Sequence, residues 1–244
     1  MRLAWLVLFA ACSGPPLAPA IEGTAPPIAA PTMPPPSVRW IDNGFDEVGL
    51  PAVARDGALV VYGKIDGDGG RGNPNLTIVT ADRKDAIASQ LIVLGVDEVD
   101  TMFDAAGMTA PMRTRISDAN RMLARLHTTH DLVPLAVASV PERQLASEDP
   151  PAPSSPREDV VSVRWTGPQL EIVRGSRRIA TPPLPAAKVV ERPLCATCTD
   201  TCSNAPFLGA AWVDEARKIA LVRIDYTGTD TCWEPNAELH VVSW

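Results

Sequence analysis

Short apolar runs rich in β-branched residues recur from Val38 onward, most of them bounded by Gly, Pro, Asn or Asp. Such runs read as β-strands. "ALVVYGKI" (58–65), "NLTIVTA" (75–81) and "SQLIVLGV" (89–96) predict three strands. "LPAVA" (50–54) predicts a shorter one, joined to the first by a turn at Arg55-Asp56-Gly57. "RTRISDANRMLARLH" (113–127) has a different period: Ile116, Ala119, Leu123 and Leu126 recur at helical spacing, and Pro111 suits a first turn. "LVPLAVASV" (132–140) returns to strand. A hairpin is expected from "VVSVRW" and "QLEIVRG" about Thr166-Gly167-Pro168. It is followed by "FLGAAWV", a turn at Asp214–Arg217, "KIALVRIDY" and "AELHVVSW". The pattern predicts a mostly β fold of the α+β class, with antiparallel sheets and one clear amphipathic helix.

Two stretches share a grammar. "VARDGALVVYGKIDGDGGRGNPNLTIV" and "WVDEARKIALVRIDYTGTDTCWEPNAELHVV" both run strand, polar turn, strand ending in basic-Ile-Asp, Gly-containing loop, Pro-Asn, strand. Lys64-Ile65-Asp66 aligns with Arg223-Ile224-Asp225, and Pro74-Asn75 with Pro235-Asn236. This degenerate repeat predicts two pseudo-repeated β lobes, 38–141 and 160–244. The Pro-, Ser- and acid-rich stretch 142–159 joins them as a connector.

The loop in the first copy carries three overlapping spacings. Gly67, Gly69 and Gly72 spell G-x-G-x-x-G, but Asn73-Pro74-Asn75 and a β-branched run follow where a dinucleotide site needs a helix. A calcium nonapeptide repeat would need Asp at Pro74, and an EF-hand would need Gly at Arg71 and Glu at Thr77. Asp66 and Asp68 with loop carbonyls could hold a single calcium. The reading preferred here is a glycine-rich hairpin turn.

The N-terminus is patterned differently. Met1-Arg2 precedes the apolar run "LAWLVLFAAC", too short for the roughly 20 residues of a membrane span and built like a secretory signal. "FAAC" (Phe9 to Cys12) resembles the lipobox of bacterial lipoproteins, with Phe9 where Leu is usual. The resemblance covers a dozen residues. It implies a signal peptide at 1–11 and lipidation, including palmitate, on Cys12. With Ser13 following, it implies an outer-membrane destination and anchorage to the membrane through lipid. If Cys12 is not lipidated, the chain is secreted. Residues 12–37 are Pro- and Ala-rich with one charge, the composition of an extended, semi-rigid tether. The body then spans 38–244.

Composition adds exclusions. The 244 residues carry a formal charge of -7, which opposes nucleic acid as a partner because phosphate neutralisation needs clustered Lys and Arg. Without Cys12, four cysteines remain: Cys195, Cys198, Cys202 and Cys232. In an oxidising compartment an even number predicts two disulfides, with three possible connectivities. Folding 207–213 back on 218–226 would bring Cys202 to the end of the sheet that holds Cys232. That favours Cys202–Cys232, worth about 3 kcal/mol by chain entropy, beside a local Cys195–Cys198 bridge. Zinc and Cys-x-x-Cys redox chemistry are the alternatives.

Other chemistry is sparse. His127 and His130, three apart at the end of the predicted helix, are weak metal candidates, as are Asp66 and Asp68. Favourable interaction with the helix C-terminus competes as an explanation for the histidines. Arg113, Arg121 and Arg125 make a basic helix face, read here as solvated. Asp97, Glu98 and Asp100 cluster without the cleft that an acid–base pair needs. Trp40, Trp165, Trp212, Trp233 and Trp244 read as core residues, with stacking on a glycan or partner as the alternative. There is no G-x-S-x-G, S-x-x-K, H-E-x-x-H or P-loop. No catalytic residue and no cofactor is assigned. The expected role is a non-enzymatic envelope binding or structural module with a protein or glycan partner. The alternative is a calcium- or small-ligand-binding lipoprotein using the loops at 66–75 and 226–236, with an enzyme third.

Overall fold

In the computed structural model, the residues described are 33–66, 74–104, 107–140, 160–166, 169–185, 187–193, 201–227 and 235–244. Residues 33–244 form one compact unit. Strands dominate, as the sequence pattern predicts, and the sheets are antiparallel.

The first half contains β1 (Ser37–Ile41), β2 (Gly44–Val48), β3 (Ala52–Val53), β4 (Leu59–Lys64), β5 (Leu76–Asp82) and β6 (Ile87–Leu94). A short helix α1 (Val99–Met102), β7 (Phe103–Asp104) and β8 (Gly107–Met108) lead to the long helix α2 (Ala110–His130), followed by β9 (Val133–Pro134) and β10 (Ala136–Val137). The second half contains β11 (Val161–Trp165), β12 (Leu170–Arg174), β13 (Arg177–Ala180), β14 (Val190–Pro193), β15 (Thr201–Asn204), β16 (Pro206–Asp214), β17 (Ile219–Tyr226) and β18 (Glu238–Ser243).

Three sheets build the body. The first has the order β6-β5-β4-β3-β9, the second β10-β16-β17-β18, and the third β11-β12-β13. The predicted strand at 132–140 is divided. Val133 and Pro134 pair with Val53 and Ala52, whereas Ala136 and Val137 pair with Val213 and Trp212. Pro134 lacks an N–H to extend a ladder, and Leu135 between the two pairs is buried.

Each of the two large sheets is covered on both faces, which explains why "VVY" and "IALV" are continuous rather than alternating apolar runs. On one side of the first sheet, Ala52, Val61, Leu76, Ile78 and Val93 pack with Met112, Ala119 and Leu123 of α2. Its other side meets the second sheet, where Val53, Val60, Tyr62 and Val79 pack with Ile219, Leu221 and Val241. The far side of the second sheet, through Leu208, Val222, Ile224 and Val242, covers Val163, Leu170 and Ile172 of the third. The layer order is helix, sheet, sheet, sheet.

Helix α2 is longer than the 113–127 pattern at both ends. Pro111 sits in its first turn, and it runs on to Asp131, whose left-handed backbone (φ 50°) ends it with an N–H to the His127 carbonyl. Among the described residues no helix is long and apolar enough to cross a membrane.

Candidate ligand cleft between the sheets

The two stretches that share a sequence grammar pack face to face through Val60 and Tyr62 on one side and Ile219 and Leu221 on the other. β3-β4-β5 and β16-β17-β18 are each an antiparallel meander. Tyr62 pairs with Val79 in the first, and Leu221 with Val241 in the second, one position beyond the residue that aligns with Val79. Side chains two apart share one face of a strand. Facing inward, β4 presents Val60, then Tyr62, then Lys64, and β17 presents Ile219, then Leu221, then Arg223. The core is therefore apolar for two positions on each strand and charged beyond them. Where the charges begin, the sheets enclose a cleft of about 570 Å³.

Its walls come from both copies and from β2. Leu50, Pro51, Trp212, Leu221 and Leu239 supply apolar surface, and Glu47, Tyr62, Asp66, Arg223 and Asp225 supply polar groups. Each basic-x-acid motif closes on itself. Lys64 Nζ lies 3.0 Å from Asp66 Oδ1. Arg223 Nη2 donates to Asp225 Oδ2 at 2.9 Å, while its Nε, 2.9 Å from Oδ1, is not aligned for a hydrogen bond. Asn75 clamps the loop ends, accepting from the Asp66 N–H at 2.8 Å and donating to the Asp66 carbonyl at 3.2 Å. Asn236, its counterpart in the second copy, donates to Asp66 Oδ1 at 3.2 Å, so the end of β4's segment and the start of β18's meet at the cleft mouth.

Glu47 is the residue that the sequence pattern does not single out. β1 and β2 form a hairpin about Asp42-Asn43, both with positive φ (50° and 62°). Asn120 of α2 holds that hairpin through the N–H (2.7 Å) and carbonyl (3.0 Å) of Val38. Trp40 fixes it further between Phe45 and Phe103, at centroid distances of 5.1 and 4.4 Å. The hairpin lays the Glu47 carboxylate over Gly63, where a Cβ would lie 1.9 Å from Oε2. Gly209, the bulge residue of β16, receives Asp225 in the same way, at 1.7 Å from Oδ2. Burial raises the Glu47 carboxyl above the usual range. The Gly63 N–H offsets this in part, and the neighbouring Asp46 adds to it. Tyr62 is pushed up to about 12, by burial first and Asp85 second.

No family model, curated protein or solved structure matches this chain. The cleft must therefore be read from its own groups.

The remaining candidate residues are scattered. Asp68, Gly67, Gly69 and Gly72 lie outside the described residues, but Asn75 passes directly into β5, a strand where a dinucleotide site would require a helix. His127 and His130 belong to the last turn of α2, where the His130 carbonyl accepts the Arg55 N–H at 3.0 Å. Glu98 is held by Arg115 through two contacts of 2.7 and 2.9 Å. That pairing, with the Gly95 N–H, lowers its carboxyl to about 2. Trp40, Trp165, Trp212 and Trp244 each pack against a core cluster. Trp233 and the N-terminal Cys12 lie outside the described residues, as do Cys195, Cys198 and Cys232, so neither predicted cysteine pairing is described. Cys202 is buried on β15, and β16 does fold back on β17 as that pairing assumed. Among the described residues no three His, Cys, Asp or Glu side chains converge as metal ligands.

Proposed function

We propose that this chain is an exported, lipid-anchored binding module of the cell envelope, without catalytic chemistry, that holds a small organic ligand in the cleft between its two repeated meanders. One observation carries the binding reading. The ends of both repeats, with Asp66 and Asn236 in contact, meet around a single cleft that mixes apolar floor with polar rim. Specific small-molecule sites have this composition and a size of roughly 300–1,000 Å³. The anchor rests on "FAAC" at 9–12 and the Pro-rich tether that follows. The outer-membrane destination rests on Ser13. Oxidised cysteines rest on the even number left in the exported chain, Cys195, Cys198, Cys202 and Cys232.

Two measurements test the proposal. Metabolic labelling with an alkynyl palmitate analogue should mark the full chain and not its Cys12→Ser variant. Labelling that survives the substitution would sink the anchor. A ligand-observed NMR screen of a fragment library should give hits that vanish when Ala237, on the cleft wall, is replaced by Trp. A screen in which no hit responds to Ala237→Trp would sink the cleft.

A further inference from the structure

The cleft contains three carboxylates, Glu47, Asp66 and Asp225, and one guanidinium, Arg223. Two of the acids are neutralised within the chain, Asp66 by Lys64 and Asp225 by Arg223. Glu47 forms no ion pair among the described residues, and its carboxylate lies against the neutral backbone of Gly63. Leu50, Pro51, Leu221 and Leu239 line the same space and limit its hydration, with Tyr62 and Trp212 beside them. A carboxylate in apolar surroundings without a cation is costly to the protein. A bound molecule that brings the cation removes that cost. An anionic ligand would meet Glu47, Asp46 behind it, and two acids whose cations are already engaged. A neutral ligand would leave Glu47 unpaired.

We infer that the cleft takes an organic ammonium ion with an apolar or aromatic body, Glu47 being the counter-ion and Trp212 and Tyr62 the aromatic walls. The inference rests on the cleft reading and names the class of its ligand. An ammonium near an aromatic face is further stabilised by the ring quadrupole, and Leu50, Pro51, Leu221 and Leu239 offer apolar surface to a hydrocarbon body. The raised Glu47 carboxyl has the same origin, and an arriving cation reverses it, so binding releases protons on the acid side of neutrality. The groups that share this field are Asp46 on β2, Asp66 with Lys64 at the end of β4, and Arg223 with Asp225 on β17.

The test compares 2-phenylethylamine with its neutral analogue 2-phenylethanol on the full chain, by isothermal titration at neutral pH. The wild type, Glu47→Gln and Ala237→Trp are measured, with thermal melts to check folding. The amine should bind about 10- to 100-fold tighter than the alcohol, the range expected of a charge-assisted hydrogen bond in a desolvated site. Glu47→Gln should remove most of that preference, and Ala237→Trp should abolish binding of both. Equal binding of amine and alcohol, both lost in Ala237→Trp, overturns the cationic class while leaving the cleft reading intact. A preference that persists in Glu47→Gln overturns the role of Glu47. No amine binding at millimolar concentration overturns the inference, and the fragment screen then decides the cleft independently. Binding indifferent to Ala237→Trp overturns both.

Discussion

Replacing Gly63 by Ala is a local test of how the cleft is built. Gly63 does not have a positive φ, so β4 accepts an alanine backbone without strain. The obstacle is Glu47. A Cβ at position 63 would lie 1.9 Å from Oε2, 2.3 Å from Cδ and 2.5 Å from Oε1. The carboxylate must move by more than an ångström and loses the approach of the Gly63 N–H, which favours its charged form. A full hydrogen bond to a charged acceptor contributes about 1.5–3 kcal/mol, the ceiling for this loss. Against this, alanine restricts the unfolded chain and returns about 0.4–1 kcal/mol. The displaced carboxylate also regains some hydration. The expected net cost is about 1 kcal/mol, or roughly 2–4 °C in Tm for a body of this size. The decisive measurement is a double-mutant cycle by urea denaturation. In a Glu47→Ala background the obstacle is gone, and Gly63→Ala should become neutral or stabilising. An equal penalty in both backgrounds would mean that β4 itself rejects the methyl group, and that Glu47 does not occupy the space.

Two further perturbations probe the joint between the sheets. Leu221 is 1% exposed in the core between Tyr62, Val79, Ile219 and Val241; Leu221→Ala should cost about 2–5 kcal/mol in chemical denaturation, and a loss below 1 kcal/mol would show that the sheets close over the void. Asp85 accepts the Val241 N–H at 2.7 Å and pairs with His240 Nδ1 at 2.7 Å, which, above its other partners, raises the His240 pKa. A raised folded-state pKa means that the His240 contribution is complete below its unfolded value of about 6.5 and is lost as pH rises through the folded value. The stability gap between wild type and Asp85→Asn should therefore be about 1–3 kcal/mol near pH 5.5 and smaller near pH 9, and a gap that widens with pH would refute the pairing.

The sequence carries the repeat and, through it, the part of the cleft made by β4 and β17. The same parity that puts Val60 and Tyr62 into the core puts Lys64 beside Asp66, and the second copy repeats the arrangement with Arg223 and Asp225. What hides Glu47 is locality. It lies in "GFDEV", a half-exposed strand with no apolar alternation, and its importance comes from Gly63, a strand residue sixteen positions on, whose missing side chain leaves room for it. β13 ("RRIA"), β14 and β15 were equally silent, because short polar strands give no period. Asp42-Asn43-Gly44 has turn-forming residues, but turns mark where a chain reverses and not what the hairpin touches. The division of 132–140 between two sheets depends on partners distant in sequence, Val53 and Trp212, which no local pattern encodes.

That division also fixes how the molecule behaves as a divisible object. From Val133 to Ser139 the chain joins the first sheet, then the second, then forms a bridge to Ser162 of the third. Sever the backbone anywhere between 140 and 160, and the leading fragment keeps a strand that belongs to its companion's sheet. The halves are consequently not interchangeable modules. Transplanting either repeat alone would export an unfinished edge, and a nicked molecule would hold together as a noncovalent pair. Recombination that shuffled one meander without this stitch would deliver a sheet lacking its selvedge.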